Sequence, residues 1–422
     1  MDHRETTQKN YSRFSAWYIL IICSLLYMVN YIDRQVLSIT VVHIQAELGL
    51  GDALIGVIQT VFFMSMAVFA FPAAYLADRW SRPKCVAIMA VLWSIFTFIT
   101  GLGRSFLGIL LPRALVGVGE AGFTSGGIPL IASAFPEKAR GLAMGIFNMA
   151  IPIGSAIGML LGGVIASTWT WRAAFFIFAA PGVLLGGLAL LMKDFSKQTK
   201  MEKTEDDVSF FKAAISLYRI PTLRWLYLGF AMQNITLFSF LTWTPAYVMR
   251  AHNVDAAAAG MKIGLIAMMA VLGSILGGIA ADAWQKRNKR GRMLTAFWGL
   301  AAASALLVLS LMMELSGIGF VLGLIYGASS VIPLPAITAV TQDVAPSHLK
   351  SVSWGMNAFC CYVLGGAWAP MIVGGISDVL GGGASGLKIA LLFSTLGGFL
   401  GAACYRISSK TYHDDLQRAA ED

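Results

Sequence analysis

An apolar stretch long enough to cross a lipid bilayer recurs twelve times along this chain, and no other feature of the sequence restricts the possible folds so strongly. The stretches fall at 16–44, 53–77, 84–103, 105–134, 139–167, 172–194, 223–249, 259–284, 293–313, 316–342, 351–377 and 386–405. A helix rises 1.5 Å per residue, so roughly 20 apolar residues span the hydrocarbon core of a membrane. The strands of a transmembrane barrel would instead read as about ten residues of alternating polarity. Of the 422 residues, 57% are hydrophobic and 13% charged, a balance that excludes a water-soluble globule of this size. The sequence predicts an all-α membrane protein with twelve transmembrane helices.

A formal net charge of +9 would suggest a nucleic-acid partner in a soluble protein, but the placement of the basic residues accounts for it. With the N-terminus on the cytoplasmic side, the segments on that side carry 24 Lys and Arg, against five outside: Arg104, Arg172, Arg250, Lys262 and Lys388. This is the asymmetry of the positive-inside rule, and no nucleic-acid partner is expected. The longest charged stretch, "KDFSKQTKMEKTEDDVSFFKAA", separates two groups of six spans. The expected organisation is a cytoplasmic tail at 1–14, an N-terminal six-helix bundle at 15–195, a cytoplasmic linker at 196–220, a C-terminal six-helix bundle at 221–408 and a cytoplasmic tail at 409–422. The polar start "MDHRETTQKNYSRF" lacks the apolar region and cleavage site of a signal peptide, so no cleavage is expected. The five cysteines (Cys23, Cys85, Cys360, Cys361, Cys404) show no metal or disulfide spacing. They read as packing residues, and neither a metal nor a cofactor is expected.

The two groups of spans echo each other. "AYLADRWSRPK" (Ala74 to Lys84) and "GIAADAWQKR" (Gly278 to Arg287) each close an even-numbered span with a small residue, an Asp four later and a basic cluster. "PEKARGLAMG" matches "PSHLKSVSWG" at an offset of 210, through Pro136, Arg140 and Gly145 against Pro346, Lys350 and Gly355. Parallel halves with weak internal similarity mark one transporter architecture. The first loop resembles the signature loop of the major facilitator superfamily, Gly-x-Leu-x-Asp-Arg-x-Gly-Arg-Lys, with Leu76, Asp78, Arg79 and Arg82 matching and Ala74 and Ser81 departing from it. "NYIDR" (Asn30 to Arg34) together with "RALVGVGEAGFTSGGIP" (Arg113 to Pro129) is similar to the Spinster-like branch of that superfamily, which includes lysophospholipid and sphingosine-phosphate exporters. The resemblance covers the whole chain. It implies the major facilitator fold, two pseudo-symmetric six-helix bundles, and a gate built from Asp78, Arg79, Arg82 and Arg140 with Asp282 as the second-half counterpart of Asp78.

"GVGEAG" (Gly117 to Gly122) formally satisfies a dinucleotide fingerprint, but that motif needs a strand before it and a helix start after it. Here it sits mid-span, where small residues allow close helix approach or a bend. The informative residues are four charges inside spans one and four: Asp33, Arg34, Arg113 and Glu120. Each costs about 2.5 to 3.5 kcal/mol at the bilayer centre. Counting helical rise from the outer ends of their spans places Asp33 roughly 14 Å deep and Arg113 roughly 12 Å deep, with Glu120 two turns further along the same face as Arg113. Asp33 and Arg113 are therefore expected to meet, with Glu120 continuing a track of alternating charge. As a brace between two helices such a pair gains little over apolar packing. As chemistry, the carboxylates Asp33 and Glu120 accept protons, while Arg34 and Arg113 anchor an anion. The second half has no matching charge; Asn234, Trp243, Asn357 and Tyr362 are its candidate substrate contacts.

The expected function is proton-coupled secondary transport of an amphipathic, anionic, lipid-like substrate by alternating access, in a monomer within the inner membrane of a bacterium. The substrate class follows from the Spinster resemblance, and the bacterial location from the short tails. Two readings stay beside it: symport of a small organic anion such as a sugar acid or monocarboxylate, and a non-transporting membrane sensor or scaffold. No enzymatic activity is expected.

Overall fold

The computed structural model describes residues 13–194, 210–346 and 349–421. The first half comprises α1 (Arg13–Leu48), α2 (Asp52–Arg79), α3 (Arg82–Gly101), α4 (Phe106–Ala121), α5 (Phe123–Ala134), α6 (Glu137–Thr168) and α7 (Trp171–Ala189). After a short α8 (Phe210–Arg219), the second half comprises α9 (Pro221–His252), α10 (Ala256–Arg287), α11 (Gly291–Met312), α12 (Ile318–Ser329), α13 (Pro333–Asp343), α14 (Lys350–Cys360), α15 (Ala369–Val379) and α16 (Gly383–Glu421). A π-helical turn, Cys361–Gly366, joins α14 to α15. Since α4–α5, α12–α13 and α14–α15 each form one interrupted crossing, the halves contain six crossings apiece. Eleven crossings are long and apolar enough to traverse a membrane by composition alone. The twelfth, α9, has the length, but Gln233, Asn234, Thr236, Ser239 and Thr242 dilute its apolar character.

Local chemistry fixes several helix ends. Ser105, Thr170 and Asp255 cap α4, α7 and α10 by accepting the backbone N–H groups of Gly108, Ala173 and Ala258, the usual way to satisfy a helix's first unpaired donors. The polar chain beyond residue 408 continues as helix to Glu421, so the expected C-terminal tail extends the last span. Asp415 on it accepts the backbone N–H of Thr222 at 3.0 Å. The expected linker contains α8, whose Ala213 and Leu217 are buried against the second half. All five cysteines are buried and unbridged.

The halves meet through α6 against α10, α2 against α15 and α1 against α9. Close approach is built into the sequence: a Cβ on Gly56 would lie 2.4 Å from the Pro370 carbonyl oxygen, and one on Gly163 would lie 2.2 Å from that of Ala256. The hydrogen bonds that join the halves cluster at this same end, where α1 runs into α2 and α9 into α10. They link Asp52 and Gln45 to Arg250, Asp52 to Ser377, and Ser167 to Ala257. At the opposite end, which carries α1's start and α16's finish, a Cβ on Gly145 or Gly355 would meet nothing within 4 Å. The two-bundle body is closed at one end.

Candidate functional site

Close packing of α4 sets the site's geometry. A Cβ on Gly117 would sit 2.4 Å from the Phe62 carbonyl oxygen of α2, and one on Gly119 would sit 2.8 Å from the Trp93 nitrogen of α3. Only glycine permits both approaches, and the helix then breaks at Gly122. The glycines of "GVGEAG" thus pack and bend the span, as their position within it implies. Arg113 lies about one turn before this waist and Glu120 one residue after it.

The four charges do gather. Asp33 is fully buried and accepts a hydrogen bond from the Thr97 hydroxyl of α3 at 3.3 Å. Arg34, the next residue, turns by about 100° around the helix and donates from Nε to Glu120 Oε2 at 2.8 Å. Its Nη2 donates to the Met66 sulfur at 3.2 Å, and its guanidinium lies 4.6 Å from the centre of the Tyr31 ring. Arg113, fully buried, stacks over Phe62 at 4.6 Å. Among the described residues none of its three guanidinium nitrogens has a hydrogen-bond partner. It lies within electrostatic reach of Asp33, Glu120 and Arg34.

This corrects one expectation. Asp33 and Arg113 share no hydrogen bond; the direct ion pair joins Arg34 to Glu120. Helical rise gives depth alone, whereas rotation decides the partner, and the adjacent Asp33 and Arg34 face different helices. The consequence is chemical. Glu120, rather than Asp33, is the carboxylate directly hydrogen-bonded to an arginine.

Of the second-half candidates, Tyr362 reaches the cluster. It is the second residue of the π-helical turn, lies within electrostatic reach of Arg34, and packs with Phe238 of its own half and Phe63 of the other. Asn357, on α14 before that turn, is fully buried with neither amide atom partnered among the described residues. Asn234 spends its amide on the Phe230 carbonyl of its own helix. Trp243 is placed elsewhere: fully buried at the closed end, it donates from its indole to the Pro370 carbonyl at 2.9 Å. A tryptophan locked between α9 and α15 packs the closed end and does not line the charge cluster. Phe238, whose position in an apolar run gave no signal, stands where Trp243 was expected.

The gate residues all lie at the open end and divide between the halves. Arg79 is exposed and stacks on Tyr75 at 4.2 Å, Arg82 opens α3, and Arg140 is exposed on α6. Asp78 lies in the last turn of α2, with its side chain outside the described set. Asp282 pairs with Arg292 at 3.1 Å, and Arg292 also binds Asp343, which accepts from the Tyr412 hydroxyl. This network ties α10, α11, α13 and α16 within the second half. Arg292 stands at Arg82 plus 210, so the internal repeat already contained the signal for it.

Residues 23–370 match the family model of the Major Facilitator Superfamily. The chain belongs to that superfamily. It is 29% identical over 415 residues to an MFS-type efflux pump of Mycolicibacterium smegmatis, covering 95% of this chain and 94% of the pump. It is 28% identical to protein spinster homolog 1 of Rattus norvegicus, covering 97% and 83%. It is also 28% identical to a probable L-galactonate transporter of Escherichia coli, covering 60% and 59%. In fold it is similar to a bacterial homolog of the human lysosomal transporter Spinster in an inward-facing, unoccupied conformation, at a TM-score of 0.84 and 23% identity over 96% of this chain and 99% of that one. The protein is therefore a multi-pass membrane transporter of the major facilitator type, not an enzyme.

Proposed function

We propose that this major facilitator protein is a proton-coupled carrier of an anionic amphiphile, working by rocking of its two halves about the central charge cluster. The observation that carries the reading is the Arg34–Glu120 ion pair beside an Arg113 with no hydrogen-bond partner among the described residues, set against an aromatic wall of Phe63, Phe238 and Tyr362. Two guanidinium groups offer forks for a phosphate or carboxylate. The aromatic wall offers an apolar surface for a chain. Protonation of Glu120 would free Arg34, so proton and anion would bind cooperatively, and by reciprocity each would raise the other's affinity. Coupling of this sign moves both in the same direction.

The open end carries the start of α1, the finish of α16 and the basic residues Arg79, Arg82, Lys84, Lys286 and Arg287, which the positive-inside rule assigns to the cytoplasm. On that assignment the conformation faces inward, in a bacterial inner membrane. A cysteine at Lys200, in the basic linker, should react with an impermeant reagent only from the cytoplasmic side; labelling of intact cells would contradict the orientation.

Substrate class is tested by binding across a chain-length series of anionic lysolipids. Affinity should rise by about 0.8 kcal/mol for each methylene buried, and Phe238→Ala should reduce long-chain affinity more than short-chain affinity. The Asn357 amide, which has no hydrogen-bond partner among the described residues, favours a second reading, a small polyhydroxylated organic acid, since such a ligand needs hydrogen-bond partners on both walls. Affinity independent of chain length, with strong competition from a sugar acid, would select it.

A further inference from the structure

At the closed end, the start of α2 has no side-chain cap of its own. Its N-cap is Gly51, which offers no side-chain oxygen, and the first backbone donors of a helix must find acceptors. Here they find them in the other half. Asp378, at the end of α15, accepts the backbone N–H of Asp52 at 3.0 Å and of Ala53 at 2.8 Å, one on each carboxylate oxygen. A carboxylate at a helix N-terminus also opposes the positive end of the helix dipole.

The neighbouring residues work in the reverse direction. The Asp52 carboxylate, 3% exposed, receives both terminal guanidinium nitrogens of Arg250 at 2.9 and 2.6 Å. It also accepts from the Ser377 hydroxyl at 2.6 Å and from the Gln45 amide at 2.8 Å. Gln45 turns its amide oxygen to Arg250 at 2.6 Å. The chain leaves α15 through Gly381, Gly382 and Gly383 at φ of 87°, 67° and 68°, a left-handed run suited to glycine. Arg250 also reaches the Gly383 carbonyl.

We infer that Asp52, Arg250 and Asp378 form a latch between the halves, holding this end shut through a crossed pair of carboxylates, and that its release is required for the carrier to open on this side. Each half supplies a carboxylate to the other. The latch completes two unsatisfied structures only while the halves touch: the start of α2 and the guanidinium at the end of α9. Separation therefore exposes uncapped donors and an unpaired arginine at once, which makes the contact two-state rather than gradual. The latch uses no residue of the charge cluster and does not depend on what the carrier moves or whether protons drive it.

The test measures distance rather than transport. Spin labels at Arg104→Cys and Ser316→Cys, exposed positions in the two halves at this end, report closure in purified full-length protein whose five buried cysteines have been replaced. The parent should show mainly the short distance. Asp52→Asn and Arg250→Gln should each raise the ratio of long to short populations at least about tenfold, as expected when one partner of a buried pair is lost, and Asp378→Asn, at an exposed residue, should raise it by a smaller factor. Glu47→Gln is the control: it breaks the Glu47–Arg172 ion pair at the same end, within one half, and should leave the ratio unchanged. Three variants sharing the parent's distances would overturn the latch, as would an equal shift in Glu47→Gln. Asp378→Asn and Arg250→Gln carry the test should Asp52→Asn fail to fold.

Discussion

Arg113→Ala should weaken binding of an anionic ligand by roughly a hundredfold, about 3 kcal/mol, the scale of losing charge-assisted hydrogen bonds in a buried site. The expectation rests on Arg113 being fully buried with no hydrogen-bond partner among the described residues, while Asp33 and Glu120 are engaged by Thr97 and Arg34. A guanidinium kept in that condition retains its donors for a ligand. Arg113→Lys keeps the charge but loses the fork and much of the stacking on Phe62, so its loss should be intermediate. Isothermal titration of the purified protein with a short-chain lysolipid decides the matter. Affinities within threefold of the parent in both variants would remove Arg113 from the binding site.

Glu120→Gln should uncouple transport from the proton while leaving exchange intact. The amide cannot hold Arg34 as a carboxylate does, so the arginine stays available to the anion at every pH. Anion affinity, which in the parent should rise as pH falls, should become flat in the variant. Counterflow of labelled substrate should persist, and accumulation driven by a pH gradient should fall at least about tenfold. Asp33→Asn should have the smaller effect on pH dependence, because Asp33 accepts from Thr97 and is not hydrogen-bonded to either arginine. A Glu120→Gln carrier that still concentrates substrate down a pH gradient would assign the proton elsewhere.

Much of this architecture was legible in the sequence because the bilayer imposes it. A span must be about 20 residues long and apolar, which fixed the crossings, and the offset of 210 between Arg140 and Lys350 exposed the two halves. The four embedded charges stood out for the same reason: hydrocarbon makes each one costly, so each demands an explanation. Rotation about the helix axis was not legible. Asp33 and Arg34 are neighbours in the sequence yet face α3 and α4, and only packing of Gly117 and Gly119 against α2 and α3 determines that Glu120 meets Arg34. Trp243 illustrates the same limit, since polar and aromatic residues along α9 can face the site or the closed end. The latch was hidden for a different reason. Asp52, Arg250 and Asp378 lie at helix ends, where charged residues are ordinary, and nothing local shows that Asp378 caps a helix more than 300 positions earlier in the chain.

On the proposed mechanism, proton binding and anion binding are coupled through one site that prefers amphiphiles. This coupling is tested most directly in proteoliposomes containing the purified protein, with an imposed pH gradient and a labelled anionic lysolipid and sugar acid offered in parallel. The account predicts lysolipid accumulation that follows the direction of the proton gradient, collapses with a protonophore, and exceeds that of the sugar acid. Lysolipid movement indifferent to the gradient, or accumulation of the sugar acid alone, would contradict it.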